Sequence, residues 1–246
     1  MYNYQITIEY LGVNYVGWQI QKKGISIQLQ VEKALTKTLK QKIKINGSGR
    51  TDAGVNALGQ SANFFFKKKI VDNYKFLNAT NFFLKNNSIS IIDIKKKNIN
   101  FHARHSAKKR CYEYLILNRT GKLAINKDRS WLVKKKLDFE KMKKAINHFH
   151  GTHNFSAFRA SSCVAKSPIR TISKTSIKKN KDKIIISFES KSFLQKQIRS
   201  MVGCLKYVGE NKWNPEKIKL IINSKKRMLC APPAPPEGLY LKKVFY

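Results

Sequence analysis

The chain has 246 residues, and 50 Lys and Arg against 14 Asp and Glu give it a formal net charge of +36. No apolar stretch approaches the roughly 18 residues that a membrane-spanning helix needs, and the N-terminus does not resemble a signal peptide. We therefore expect a cytoplasmic protein without a membrane partner. The charge predicts binding to a polyanion such as RNA or DNA. However, only nine of the 50 basic residues are Arg, so part of the Lys excess is compositional bias.

The first half of the chain predicts the element order β-α-β-β-α-β. Apolar and polar residues alternate over 2–10, which is the period of a strand. Ser26 precedes a segment in which apolar residues recur every four positions, and it is a suitable N-cap for a helix. The remaining predicted elements are strands at 42–47 and 60–66, a helix at 73–84 and a strand at 88–96.

The second half predicts the same order with an insertion. The predicted elements are a strand at 110–117, a helix opening at Asp138, strands at 170–178 and 183–189, a helix at 193–208, a helix after Pro215 and a C-terminal strand. Repetition of this order predicts an α+β fold with two ferredoxin-like, RNA-recognition-like halves. We expect the halves to span 1–105 and 106–246, with their antiparallel sheets flanking a basic cleft.

The four cysteines are Cys111, Cys163, Cys204 and Cys230. None lies within metal-ligand spacing of another, and no His cluster accompanies them. Reduced structural thiols are therefore expected, and a zinc site is not indicated.

The segment NGSGRTDAGVNALGQ, residues 46–60, places one carboxylate, Asp52, among small residues. The glycines around Asp52 allow tight bends and a close approach of a ligand. An Asp in such a loop commonly forms an Asx-turn. Alternatively, Arg50 keeps the carboxylate ionised, so that it can act as a nucleophile or a base.

The scarcity of acidic residues argues against several reaction types. A two-metal nuclease needs several converging carboxylates, and a standard glycosidase needs two. No acidic cluster accompanies Asp52, and no Walker-type phosphate loop or dinucleotide fingerprint is present. The reaction class that remains is one in which a single carboxylate acts on a polyanionic substrate.

Two further clusters are candidates for substrate contacts. On the strand KRCYEYL, Arg110, Tyr112 and Tyr114 share a face and could stack on bases, although core packing is the alternative for both tyrosines. On the helix near SFLQKQIRSMVG, Arg199 adjoins an apolar stripe. If Arg199 is buried it needs an acidic partner, for which Glu189 and Asp52 are candidates; otherwise it is a solvated helix residue.

GRTDAGV, 49–55, closely resembles the active-site signature of the tRNA pseudouridine synthase A family. Six further blocks resemble the family in the same order, so that the resemblance spans nearly the whole chain. These blocks are NYVGWQIQ, FHARHSAKKRCYEY, HNFSAFRA, SPIRTI, the 193–203 helix and PPEGLYL.

The resemblance implies a residue-by-residue assignment. Asp52 corresponds to the catalytic Asp, and Tyr112 to the Tyr that lies against the target uracil. Arg199 corresponds to the Arg that pairs with the catalytic carboxylate, Leu239 to a pocket-lining Leu, and Arg50 to an RNA-contacting or loop-positioning residue.

The resemblance also implies the substrate and the assembly. It implies isomerisation of uridine to pseudouridine at positions 38, 39 and 40 in the anticodon stem-loop of tRNAs. It further implies a homodimer that uses neither a metal nor an organic cofactor.

Two positions depart from the family. Asn56 stands where the family usually has His, and Leu11 stands where it usually has Asp in the first strand-turn. Asn56 keeps a hydrogen-bonding side chain but cannot titrate, which affects any role of that His in contacting RNA.

Three rival functions are consistent with parts of the sequence. A non-catalytic RNA-binding protein with two RNA-recognition-like halves would share the charge and the aromatic strand but would not need Asp52. A pseudouridine synthase of another family would act on a different site, and a metal-dependent nuclease would cleave the RNA.

Overall fold

The computed structural model describes all 246 residues. The strands are β1 (Tyr2–Tyr10), β2 (Asn46–Gly47), β3 (Asn56–Phe66), β4 (Ile89–Lys97), β5 (Lys109–Asn118), β6 (Trp131–Val133), β7 (Gly151–Asn154), β8 (Ile169–Asn180), β9 (Lys183–Ser190) and β10 (Leu239–Phe245). The α-helices are α1 (Ile27–Leu39), α2 (Asn73–Leu84), α3 (Phe139–Ile146), α4 (Gln197–Gly209) and α5 (Lys217–Ser224). The predicted α+β class is confirmed.

The chain forms two compact units. Unit 1 comprises Met1–Lys108 and Tyr240–Tyr246, and unit 2 comprises Lys109–Leu239. The sequence placed the last strand at the end of the second half, whereas β10 pairs in parallel with β3 of unit 1 through Tyr240 and Leu241. Alternating residues identify a strand, but they carry no information about the sheet that it joins.

The sheet of unit 1 has the order β4-β1-β3, and both β2 and β10 pair with the other edge of β3. Strand β1 is antiparallel to β3 and β4, and β2 is antiparallel to β3. The rings of Tyr4 and Phe64 stack at 5.7 Å, and Phe64 stacks on Phe76 of α2 at 6.3 Å. These aromatic contacts pack α2 against one face of the sheet, and α1 lies beside α2.

In unit 2 the strands have the order β5-β9-β8-β7, in which each neighbouring pair is antiparallel, and the short β6 runs parallel to β5. Phe149 meets Phe158 and Phe188 edge to face at 5.4 and 6.2 Å. Helix α4 contributes the predicted apolar stripe to this core, and it packs against α3.

The ends of the helices follow from their caps. Side-chain oxygens of Ser26, Asp72 and Asp138 accept bonds from backbone N–H groups in the first turns of α1, α2 and α3. Helix α4 begins at Gln197, four residues later than predicted, because Lys196 adopts a left-handed φ of 60°. The Gln197 side chain accepts a bond from the Leu194 N–H at 2.8 Å, which holds the preceding segment out of the helix.

Two strands, β6 and β7, were not predicted, and β2 is shorter than predicted. They span two to four residues, too few for an alternating pattern to be read. None of the helices has the length and apolar character needed to cross a membrane.

Candidate active site

Asp52 lies in the loop between β2 and β3, and polar side chains fix the base of this loop. The Ser48 hydroxyl donates to Gln60 Oε1 at 2.7 Å, and Gln60 Nε2 donates to the Gly49 carbonyl at 3.0 Å. Both side chains are buried. Because buried hydrogen bonds are costly to break, the loop leaves the sheet in a defined direction.

The segment before α1 supports the other side of the loop. The Trp18 N–H donates to the Thr51 carbonyl at 3.1 Å, and the Tyr10 hydroxyl lies 2.8 Å from Thr51 Oγ1. Gly17 has a φ of +105°, and a Cβ there would stand 2.7 Å from the Thr51 oxygen. The contact therefore requires glycine at position 17.

Asp52 itself begins a turn at the apex of the loop. The Val55 N–H donates to the Asp52 carbonyl at 3.2 Å, and Gly54 adopts a φ of +76°. Asp52 is partly buried, whereas Arg50 is exposed. The effect of Arg50 on the ionisation of Asp52 stays a prediction.

Asn56 closes the loop from the β3 side. Its side chain is 0% exposed, and its Oδ1 accepts a bond from the Gly12 N–H at 2.8 Å. A Cβ at Gly12 would lie 2.3 Å from the Val55 oxygen, so the two backbones are in close contact. Asn56 thus holds the end of the Asp52 loop against the turn after β1.

Tyr112 and Tyr114 lie on β5 in unit 2, and both are buried. The Tyr112 ring meets Phe193 edge to face at 5.4 Å. Tyr114 is 0% exposed, and its hydroxyl donates to the Pro235 carbonyl at 2.7 Å. Burial, together with the nearby Glu237 carboxylate, raises the pKa of Tyr114 well above its ordinary value, against a smaller opposing effect of Arg199. Tyr114 is therefore a neutral packing residue.

Arg199 is in the first turn of α4 and is partly buried. Its Nε donates to the Ala234 carbonyl at 2.7 Å, and the Ala234 N–H donates to the Arg199 carbonyl at 2.9 Å. The plane of the guanidinium is therefore fixed by the 230–236 segment. Glu189, the alternative partner from the sequence, pairs with Lys109 at 2.6 Å.

Leu239 is buried at the start of β10, directly after Gly238. A Cβ at Gly238 would lie 2.6 Å from the Tyr114 ring, so the backbone before Leu239 rests on that ring. In unit 2 the structure thus brings Arg199, Tyr114 and Leu239 together through one segment, 234–239. Tyr112 adjoins this neighbourhood through its position on β5, and Asp52 and Arg50 belong to unit 1.

Comparison with known proteins identifies the family of the chain. A family described as tRNA pseudouridine synthase matches residues 145–246. Over all 246 residues the chain is 55% identical to tRNA pseudouridine synthase A of Pelagibacter ubique, with both chains covered completely. It is 45% identical to the same-named protein of Ehrlichia chaffeensis over 244 residues and 40% identical to that of Parvibaculum lavamentivorans over 246 residues. The latter two alignments cover at least 99% of both chains. The chain belongs to the tRNA pseudouridine synthase A family.

Pseudouridine synthases are isomerases, and this membership confirms the enzyme class expected from the sequence. Two of the sequence blocks that resemble the family have a visible role in the structure. The NYVGWQIQ block supplies Gly17 and Trp18, which hold the Asp52 loop. The PPEGLYL block supplies Pro235 and Gly238, which pack on Tyr114.

Two residues with positioning contacts were missed by the sequence interpretation. Gly17 and Ala234 act through backbone atoms, for which no side-chain pattern exists. For Tyr114 the sequence left stacking and core packing as alternatives, and its burial and its bond to the Pro235 carbonyl agree with core packing. The glycine before Trp18 was the one signal available, because an isolated glycine beside bulky residues suggests a close backbone approach.

Proposed function

We propose that the chain converts uridine to pseudouridine at positions 38, 39 and 40 of the anticodon stem-loop of tRNAs, with Asp52 as the catalytic nucleophile. The observation that carries the proposal is the construction of the Asp52 loop. A single carboxylate sits at the apex of a turn that buried groups hold from both sides, within a sequence that matches the family signature.

The reaction suits one carboxylate. Formation of pseudouridine breaks the N1–C1′ bond, turns the uracil and joins C5 to C1′, and the hydrogen on C5 leaves as a proton. Base and sugar both stay bound, so no water must be activated by a second carboxylate. Asp52 enters the reaction ionised and acts as the nucleophile, and the proposal covers attack at either C1′ or C6.

The other candidate residues have positioning roles in this proposal. Arg199 pairs with the Asp52 carboxylate, and its bond to the Ala234 carbonyl gives the guanidinium a fixed orientation for that pairing. Tyr112 lies against the flipped uracil, and Leu239 lines the pocket beside it. Arg50, which is exposed, contacts the RNA.

The charge of the chain supports a tRNA substrate. A paired uridine must leave the stem, which costs a few kcal/mol, and contacts between Lys residues and phosphates offset this cost. We further propose a cytoplasmic homodimer in which one protomer grips the body of the tRNA bound at its partner's site. Full activity in a protein that light scattering shows to be monomeric would exclude this division of labour.

The strand arrangement of unit 1 supports the ferredoxin-like assignment for that unit. Its first four strands have the order β4-β1-β3-β2, all neighbours are antiparallel, and the connections from β1 to β2 and from β3 to β4 each contain a helix. This arrangement resembles the split β-α-β pattern of RNA-recognition folds.

The test is release of tritium from unmodified tRNA that carries [5-³H]uridine. Wild type should release tritium, since C5 loses its hydrogen, and Asp52→Asn should reduce the rate by at least about 1,000-fold. Asp93→Asn is the matched control because Asp93 is an exposed carboxylate of unit 1, paired only with Lys95, and it should retain the wild-type rate. Equal rates for wild type and Asp52→Asn would exclude Asp52 as the nucleophile.

A second substrate tests which uridines of the tRNA are modified. Replacement of U38, U39 and U40 by cytidine should abolish release while leaving tRNA affinity nearly unchanged. Release from that RNA would assign the chain to another tRNA position. No release from any tRNA, with tight binding, would instead support a non-catalytic RNA-binding protein.

A further inference from the structure

Two cysteines far apart in the sequence meet in unit 2. Cys204 lies on α4, and Cys230 directly follows the short 3-10 helix Arg227–Leu229. Their Sγ atoms are 3.3 Å apart, although all four cysteines are free thiols. Cys204 is 0% exposed, whereas Cys230 is partly exposed. A molecule from solvent therefore reaches the pair from the Cys230 side.

The two thiols are chemically different. The hydrogen bond from Cys204 lowers the pKa of Cys230; burial opposes this effect, and the Arg227 guanidinium adds to it. The same hydrogen bond and burial raise the pKa of Cys204. Cys230 is thus the sulfur that carries negative charge more readily. A thiolate is the reactive form of cysteine.

Backbone contacts hold Arg227 near this pair. Its Nη1 donates to the Ala157 carbonyl at 3.4 Å and to the Ala231 carbonyl at 3.3 Å. Both acceptors belong to unit 2, and Ala231 is the residue after Cys230. The cation therefore stays beside Cys230 as a feature of the fold.

We propose that Cys230 and Cys204 form a reversible oxidation site whose oxidant is a hydroperoxide, with Cys230 as the attacking thiolate and Cys204 as the resolving thiol. The Cys230 thiolate attacks the terminal peroxide oxygen and the O–O bond breaks. The leaving hydroxide of hydrogen peroxide, or the alkoxide of an organic hydroperoxide, takes up a proton to form water or an alcohol. The product is Cys230 sulfenic acid. The Cys204 sulfur then attacks the Cys230 sulfur and displaces the hydroxyl group of the sulfenic acid. That hydroxyl group leaves as water with the Cys204 proton, and a Cys204–Cys230 disulfide remains. The two thiols lose two electrons, and the peroxide is reduced by two electrons.

The surroundings of the pair favour the second step. A Cβ at Gly203 would lie 2.1 Å from the Pro232 oxygen, so the 230–236 segment is already in close contact with α4. The Sγ atoms need only approach from 3.3 Å to the length of a disulfide bond, about 2.05 Å. The bond would join α4, which bears Arg199, to the segment whose Ala234 orients Arg199.

The experiment uses the full chain and does not depend on the RNA reaction. The reduced protein is treated with one equivalent of hydrogen peroxide, denatured in iodoacetamide and analysed by mass spectrometry of its peptides. Wild type should lose two of its four alkylatable thiols and yield a cross-linked peptide pair containing Cys204 and Cys230, and dithiothreitol should restore all four. The oxidised protein should also melt at a higher temperature than the reduced protein.

Variants separate the two steps. Cys204→Ser should accumulate a Cys230 sulfenic acid that dimedone traps, and Cys230→Ser should form no disulfide. Cys163→Ser is the matched control, because Cys163 is also partly exposed but has no thiol neighbour, and it should behave as wild type. We expect Cys230 to react about tenfold or more faster than Cys163.

Three results would overturn the proposal: four alkylatable thiols remaining in treated wild type, oxidation that falls first on Cys163, or a Cys230 sulfenic acid that persists in wild type. The wild-type thiol count decides the matter even if a Ser variant fails to fold.

Discussion

The side chain and the backbone of Arg199 are both bonded to Ala234. The guanidinium Nε donates to the Ala234 carbonyl at 2.7 Å, and the Arg199 carbonyl accepts from the Ala234 N–H at 2.9 Å. Residues 35 positions apart in the chain are thereby held together at the start of α4. The planar guanidinium uses one edge for this bond, so that its remaining N–H groups point in a fixed direction. The ammonium group of a lysine has no such plane and could not be oriented in this way.

Arg199→Lys should therefore lower kcat while leaving KM for tRNA almost unchanged. The charge remains, but the ammonium group has no planar fork with which to bond Ala234 and orient a carboxylate at the same time. We expect kcat to fall by about 10- to 100-fold, corresponding to about 1.4 to 2.7 kcal/mol. Steady-state tritium release, measured over a range of tRNA concentrations, separates the two constants.

Arg119→Lys is the control for this substitution. Arg119 is an exposed residue that pairs with Asp182 at 3.1 Å in the same unit, and the change should leave both constants unchanged. An unaltered kcat in Arg199→Lys would show that orientation by Ala234 has no part in the reaction.

The sequence predicted the elements of unit 1 well because its strands and helices are long and amphipathic. Tyr4, Ile6 and Ile8 alternate with polar residues, and their burial follows from this pattern. The pairing of β10 with β3 was not predictable, because strand partners depend on tertiary contacts that no local period records. Residue patterns made Asp52, Tyr112 and Arg199 candidates, and the resemblance to a family gave them roles, whereas many of their supports are backbone carbonyls and glycines.

The contacts of Asn56 are a second feature that the sequence did not reveal. The sequence raised the question of how Asn could replace a His that contacts RNA, whereas Asn56 is fully buried and bonds the Gly12 N–H. Removal of its oxygen leaves that buried donor unsatisfied. We expect Asn56→Ala to lower the free energy of unfolding by about 1 to 3 kcal/mol.

Urea-induced unfolding at neutral pH measures this loss. Asn46→Ala is the matched control, since Asn46 is an exposed residue of the adjoining strand β2, and it should change stability by less than about 0.5 kcal/mol. If the two variants unfold at the same urea concentration, the Gly12 bond contributes nothing to stability.

A substitution of Gly17 tests the support that the segment before α1 gives to the Asp52 loop. Its φ of +105° disfavours an L side chain, and a Cβ would stand 2.7 Å from the Thr51 carbonyl, which precedes Asp52. Gly17→Ala should therefore displace the loop. Since a misplacement of about 1 Å can cost about 100-fold in rate, we expect a kcat loss of that order.

Tritium release and thermal unfolding, measured on the same preparation, distinguish displacement of the loop from unfolding of the protein. Gly121→Ala provides the comparison, because no atom lies within 4 Å of a Cβ at that glycine, and its activity and stability should match wild type. Wild-type kcat in a folded Gly17→Ala protein would contradict the proposed support.

Glu210 gives unit 2 a pH-dependent contribution to stability. Its Oε1 lies 2.7 Å from Lys206 Nζ and its Oε2 lies 3.1 Å from Lys212 Nζ. Burial raises the pKa of the Glu210 carboxyl, but hydrogen bonds and charge from the two lysines outweigh burial, and the pKa lies below its ordinary value of 4.5. The ionised carboxylate therefore stabilises the fold above pH 4.5, and this contribution disappears as the pH falls through the lower folded-state pKa.

Glu210→Gln should accordingly lower the free energy of unfolding by about 2 kcal/mol at pH 7, because both lysines lose a charged acceptor. The difference from wild type should shrink as the pH falls from 4.5 through the lower folded-state pKa, because the wild-type carboxyl then becomes neutral as well. Urea-induced unfolding at a series of pH values measures this difference, and Glu140→Gln, which alters an exposed carboxylate on α3, should show little difference at any of them. A Glu210→Gln deficit that is the same at neutral and acidic pH would mean that packing, rather than the ion pairs, accounts for the loss.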